Sequence, residues 1–92
     1  MKKKALVTGA SQGMGHEIAR QLVPFGFEIT AVARNEAKLK ALVKELGEGH
    51  RYLVADLTSD AGQDTVMAEL QSGHYDVLVN NAGVGLVGTF SG

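Results

Sequence analysis

The chain has 92 residues, of which 45% are apolar, with nine basic residues against ten acidic ones and no cysteine. That length suits one small domain, 1–92, whose core buries a modest share of its surface. The near-neutral balance removes any electrostatic case for nucleic acid or a membrane surface as a partner, and the lack of cysteine excludes disulfides and thiolate metal sites.

His16, His50 and His74 are too scattered to make a metal-ligand spacing, so no metal is expected. No apolar run approaches the ~18 residues of a membrane span. Lys2, Lys3 and Lys4 precede only Ala5-Leu6-Val7, too short for the apolar stretch of a signal peptide, and read as a charged lead-in that keeps the first strand soluble. A cytoplasmic location is expected.

Ala5–Thr8 reads as a first strand. From Gly13 to about Val23, Met14, Ile18 and Leu22 recur four apart, which predicts a helix closed by Pro24 and Gly26. Ile29–Ala33 is a second strand. Leu39, Leu42, Val43 and Leu46 fall on one helical face that Gly47 ends. Tyr52–Ala55 is a third strand. Thr58 or Ser59 can cap a third helix, with Asp60 in its first turn and a narrow apolar face of Val66, Met67 and Leu70. Val77–Val79 is a fourth strand leading into Asn80-Asn81-Ala82-Gly83.

The order is βαβαβαβ, and the strands are continuous apolar runs. Strands covered by helices on both faces have this composition, so the expectation is an α/β fold with a parallel sheet. Right-handed crossovers leave few arrangements. The Rossmann order 3-2-1-4, truncated after the fourth strand, is expected, with a flavodoxin-like order as the alternative.

The first strand runs directly into Thr8-Gly9-Ala10-Ser11-Gln12-Gly13-Met14-Gly15. Gly9 permits a sharp turn, Gly13 permits close approach of a pyrophosphate, and Gly15 permits the helix to pack against the sheet. The amides at the helix start then face the phosphate, backed by the helix dipole, and Ser11 adds a hydroxyl donor. A glycine triplet is weak alone, but here it follows a strand and opens a helix within a βαβ unit.

The spacing Thr-Gly-x-x-x-Gly-x-Gly resembles that of the short-chain dehydrogenase/reductase family. Asn80-Asn81-Ala82-Gly83 after the fourth strand resembles the family's second signature, and Asp56-Leu57 after the third strand its adenine-contacting pair. The resemblance covers the whole chain. It implies an oxidoreductase whose nicotinamide dinucleotide is held by Gly9, Ser11, Gln12, Gly13, Met14, Gly15, Arg34, Asp56, Leu57, Asn81, Ala82 and Gly83. Asp56 also suits entry to the third helix by its residue type alone. Asn80 is expected to tie neighbouring strands together.

The end of the second strand bears on which dinucleotide is bound. An acidic residue there would bind the 2′-hydroxyl of NAD. The chain has Ala33-Arg34-Asn35, with Arg34 lying 21 positions after Gly13. A guanidinium can grip a 2′-phosphate in a forked geometry, so NADP is expected over NAD. Gln12 stands where many NADP-preferring relatives carry a second basic residue, so the phosphate is expected to have one main cationic partner. A solvated cation at a helix start is the competing reading of Arg34.

The resemblance also implies a catalytic Ser and a Tyr-x-x-x-Lys, all beyond the Asn-Asn-Ala-Gly signature. Neither Tyr52 nor Tyr75 has a Lys four positions on. Ser91 has no such partner, and His16 and His74 make no catalytic set. No catalytic residue is therefore assigned, and no turnover is expected from these residues alone. The chain reads as a fragment of, or a truncated product from, an NADP(H)-dependent oxidoreductase. The alternatives are a non-catalytic NADP(H)-binding or self-associating module and a structural remnant that binds nothing. A homodimer is expected through the edge of the fourth strand or the segment after Gly83, near Leu78, Val84, Leu86, Val87 and Phe90. The residues that would identify a substrate are absent.

Overall fold

A computed structural model describes residues 3–10 and 13–80 of the chain. Among the described residues four strands alternate with three helices: β1 (Lys3–Thr8), α1 (Gly13–Leu22), β2 (Phe27–Ala33), α2 (Glu36–Leu46), β3 (Arg51–Val54), α3 (Asp60–Gly73) and β4 (Val77–Asn80), with a 3₁₀ turn at Val23–Phe25. The sheet is parallel, in the order β3-β2-β1-β4. This is the Rossmann order, and it excludes the flavodoxin-like alternative.

Alternation along the strands divides the core in two. Ala5, Val7, Ile29, Ala31 and Ala33 face α1 and α2, where Ala19, Leu39 and Leu42 complete one cluster. Leu6 and Val32 face the other way and join Val66, Leu70 and Tyr75 of the α3 side. Successive strand residues point to opposite faces, so burying both sets requires a helical layer on each side.

The helix boundaries follow local chemistry. The Asn35 side chain accepts from the Lys38 amide to cap α2, and the Ser59 hydroxyl accepts from the Gly62 amide to cap α3. Of the two expected caps for α3, Ser59 is thus the one used. Gly26 ends the 3₁₀ turn with φ of 88°, a conformation that a residue without a Cβ adopts at no steric cost. The expected face of α1 needs correction. Met14 is 70% exposed, whereas Ala19 is fully buried. Gly15 is buried as well. These small residues face the strands, so α1 lies close to the sheet and a long side chain at position 14 has no place beneath it.

Lys4 does more than solubilise the first strand. Its Nζ donates to the Gly73 carbonyl at 2.6 Å and lies 5.0 Å from the centre of the Tyr75 ring. Its backbone N–H donates to Asp76 Oδ2 and its carbonyl accepts from the Asp76 N–H, both at 2.8 Å, at the start of the β1–β4 ladder. At the opposite side of the sheet, His50 Nδ1 accepts from the Ile29 N–H at 3.0 Å, one residue before β3 begins pairing with β2.

Candidate dinucleotide site

The carboxyl ends of the four parallel strands lie along one edge of the sheet, and that edge collects the described candidate residues. In an open α/β sheet, ligands bind outside this edge, at the point where strand order reverses. Here the reversal falls between β1 and β4.

Gly9 leaves β1 with φ of 63°, and the next amide, of Ala10, donates across to the Val32 carbonyl of β2 at 3.2 Å. Ala10 is thus held against the carboxyl end of β2, and α1 starts at Gly13. No acidic residue lies in the first turn of α1, so its amides and positive dipole end are not offset by a carboxylate of that turn. Ser11, Gln12, Asn81, Ala82 and Gly83 lie outside the described residues. On β4, Asn80 meets β1 as expected: Thr8 Oγ1 is 3.1 Å from Asn80 Oδ1 and 3.3 Å from the Val79 carbonyl. Both are acceptors, so one hydroxyl proton serves the pair.

Arg34 follows the last residue of β2 and is exposed. The neighbouring β3 ends in register with it, Ala33 opposite Val54, and the Ala55 N–H donates to the Ala33 carbonyl at 3.0 Å. The ladder therefore carries both chains out of the sheet side by side, Arg34 on one and Asp56 on the other. The Asp56 carboxyl is held below its usual range. The hydroxyl and then the amide of Thr58 do most of this, with the Arg34 charge acting in the same direction. Both Thr58 groups donate to Oδ1, at 2.6 and 2.9 Å.

The loop bearing Asp56 and Leu57 is fastened to α3 by Ser59, expected from the sequence only as a helix cap, and by Gln63, which pattern reading did not select. Ser59 Oγ donates to the Asp56 carbonyl at 2.9 Å, and Gln63 Nε2 donates to the Leu57 carbonyl at 2.9 Å. A Cβ on Gly62 would collide with the Asp56 backbone carbonyl. Gly62 in the first turn of an apolar-faced helix is the signal that was available, since an isolated helical glycine often marks a close backbone approach. Leu57 has its side chain in the core, 6% exposed, so its backbone is the part left to meet a ligand.

Neither tyrosine stands at this edge as a proton donor. Tyr75 precedes β4, at the amino end of the strands, and is 2% exposed. Its hydroxyl is 2.7 Å from both Glu69 Oε2 and Thr30 Oγ1. A carboxylate only accepts, so Tyr75 donates to Glu69 and accepts from Thr30. Burial, first of all, pushes its pKa up to about 12. Tyr52 donates to Glu36 Oε2 at 3.0 Å, and that bond chiefly raises its pKa. Among the described residues there is no cluster of His, Asp or Glu able to hold a metal, and no helix long and apolar enough to cross a membrane.

The glycine turn, the start of α1 and the Arg34–Asp56 pair suit a dinucleotide. Amides and a helix dipole are available for a pyrophosphate, and a cation and a fixed carboxylate for the far ribose and base. The chain is 44% identical over 85 residues to an L-xylulose reductase of Caenorhabditis elegans, covering 89% of this chain and 34% of that protein. It is 43% identical over 83 residues to an NADP-dependent 3-hydroxy acid dehydrogenase of Salmonella typhi, covering 88% of this chain and 34% of that protein. A crystal structure of an actinorhodin polyketide ketoreductase with NADPH superposes with a TM-score of 0.76 at 38% identity, covering 87% of this chain and 33% of the other. The chain thus spans about a third of the length of these relatives. The family model for short chain dehydrogenases matches residues 3–92, and on that match the chain belongs to the short-chain dehydrogenase/reductase family.

Proposed function

We propose that the chain is the NADP(H)-binding portion of a short-chain oxidoreductase, with Arg34 as the residue that selects the 2′-phosphate. The observation that carries this reading is the carboxyl end of β2. No acid stands at its tip, and an exposed guanidinium follows it directly. A carboxylate at that place would favour a ribose hydroxyl and repel a phosphate. A similar protein carries NADP-dependence in its name, and a similar solved structure holds NADPH.

Hydride transfer is the chemistry a bound nicotinamide supplies. The chain's own residues would hold and orient that group. The α1 amides and the Gly9–Gly15 turn would meet the pyrophosphate, Arg34 the 2′-phosphate, and Asp56 with the Leu57 backbone the adenine. Asn81, Ala82 and Gly83 would approach the dinucleotide from the end of β4. Proton transfer needs a positioned group of tuned pKa. Tyr52 and Tyr75 are committed elsewhere, so this chain by itself supplies binding and not turnover. A cytoplasmic location belongs to the same reading.

Titration with NADPH and NADH tests the assignment. Arg34→Ala is expected to weaken NADPH by about 1.5–3 kcal/mol, the worth of a charge-assisted contact, and to leave NADH nearly unchanged. An equal loss for both would remove Arg34 from the 2′-phosphate site. Self-association through β4 is a second reading. It is supported by the half-buried Val77, Leu78 and Val79 on a strand that, among the described elements, pairs only with β1. Sedimentation at micromolar concentration is expected to show a dimer, and a cofactor-binding monomer would end that reading.

A further inference from the structure

Arg34 and Asp56 are held side by side by the backbone. The Ala33–Val54 register and the Ala55 to Ala33 hydrogen bond fix the last paired positions, and Arg34 and Asp56 lie one and two residues beyond. The Asp56 carboxylate cannot swing freely, because Thr58 binds its Oδ1 twice. Ser59 and Gln63 fasten the same loop to α3, and the close approach at Gly62 leaves α3 no room to shift inward. A 2′-phosphate docked on Arg34 would bring negative charge into the field of this fixed carboxylate. A 2′-hydroxyl at the same place would bring none.

We propose that Asp56 is a specificity-determining residue that limits the preference of this site for a 2′-phosphorylated dinucleotide, by fixing a negative charge beside the Arg34 phosphate site. The proposal rests on the reading that Arg34 binds the 2′-phosphate. Like charges on neighbouring residues near the surface repel, and the repulsion is screened by salt. Any contact between Asp56 and adenine is common to both cofactors, so it cancels in the ratio of their affinities.

The test is fluorescence titration of the chain with NADPH and with NADH, for the wild type, Asp56→Asn and Arg34→Ala, at low and at high salt. Asn keeps an Oδ1 acceptor for both Thr58 donors, so the turn is retained while the charge is removed. In Asp56→Asn the affinity ratio is expected to move toward NADPH by about three- to tenfold at low salt, and by less at ~1 M salt. Asp56→Ser, which keeps a turn-forming hydroxyl, is expected to move the ratio the same way. A ratio that stays put or moves toward NADH in both variants overturns the proposal. Arg34→Ala separates the two failures. If it loses NADPH selectively while the Asp56 variants leave the ratio unchanged, only the role of Asp56 is wrong. If it weakens both cofactors alike, or neither binds, the phosphate site is wrong and the proposal falls with it.

Discussion

Removing the Tyr75 hydroxyl tests whether the amino end of the sheet is held by a buried polar link. Tyr75→Phe keeps the ring, its packing and the Lys4 ammonium above it, and deletes one oxygen. That oxygen joins the Thr30 hydroxyl on β2, 3% exposed, to Glu69 on α3. Its loss strands the buried Thr30 group, which costs about 1–3 kcal/mol, and removes a hydrogen bond to a charged acceptor, worth about 1.5–3 kcal/mol. The two overlap and Glu69 regains some water, so the expected total is about 2–4 kcal/mol. A chain of this size has about 5–14 kcal/mol of stability, so the change is a large part of the whole. Urea unfolding followed by far-ultraviolet circular dichroism measures it. Thr30→Val in the Tyr75→Phe background removes the stranded hydroxyl and should recover part of the loss. The same hydroxyl makes a pH prediction. Its folded pKa of about 12 lies above the 10.0 of an ordinary tyrosine. The stability linked to this group is therefore complete below pH 10 and is lost as pH rises through about 12. Tyr75→Phe should lack this group's share of the alkaline loss. A cost below about 0.5 kcal/mol, or single-variant costs that simply add in the double variant, would refute the reasoning.

Two further outcomes are expected. Gly13→Val should abolish dinucleotide binding while leaving the circular dichroism spectrum and the cooperative unfolding transition in place, because the side chain would occupy the position of the pyrophosphate; normal binding by this variant would reduce the glycine loop to a turn. The 92-residue polypeptide, its mass verified, should show no NADPH-dependent reduction of any carbonyl and no oxidation of any alcohol. Measurable turnover would mean that a proton donor operates among these residues.

The strand and helix succession, and with it the parallel sheet, was legible because burial on two faces leaves a continuous apolar run that no other kind of strand needs. Gly9, Gly13 and Gly15 announced the turn and the helix start. Arg34 stood at a strand end where one residue type separates two cofactors. These are local demands, met by residues adjacent in sequence. What tertiary structure decided was which distant groups meet. Met14 was expected on the buried face of α1, yet it is exposed while Gly15 and Ala19 are buried and Leu22 packs on the core only in part, since the helix-to-sheet distance is set by packing and not by periodicity. Lys4 and Tyr75, 71 positions apart in the sequence, read as a solubilising charge and a tyrosine with no lysine four positions on until the β1–β4 pairing brought them together with Gly73 and Asp76. Asp56 suited a helix entry or a cofactor contact equally on residue type. Its fixed orientation comes from Thr58 and the α3 cap, and its nearness to Arg34 comes from the register of β2 and β3. A side chain's type is written in the sequence, but the field it feels depends on neighbours that only the folded ladder supplies.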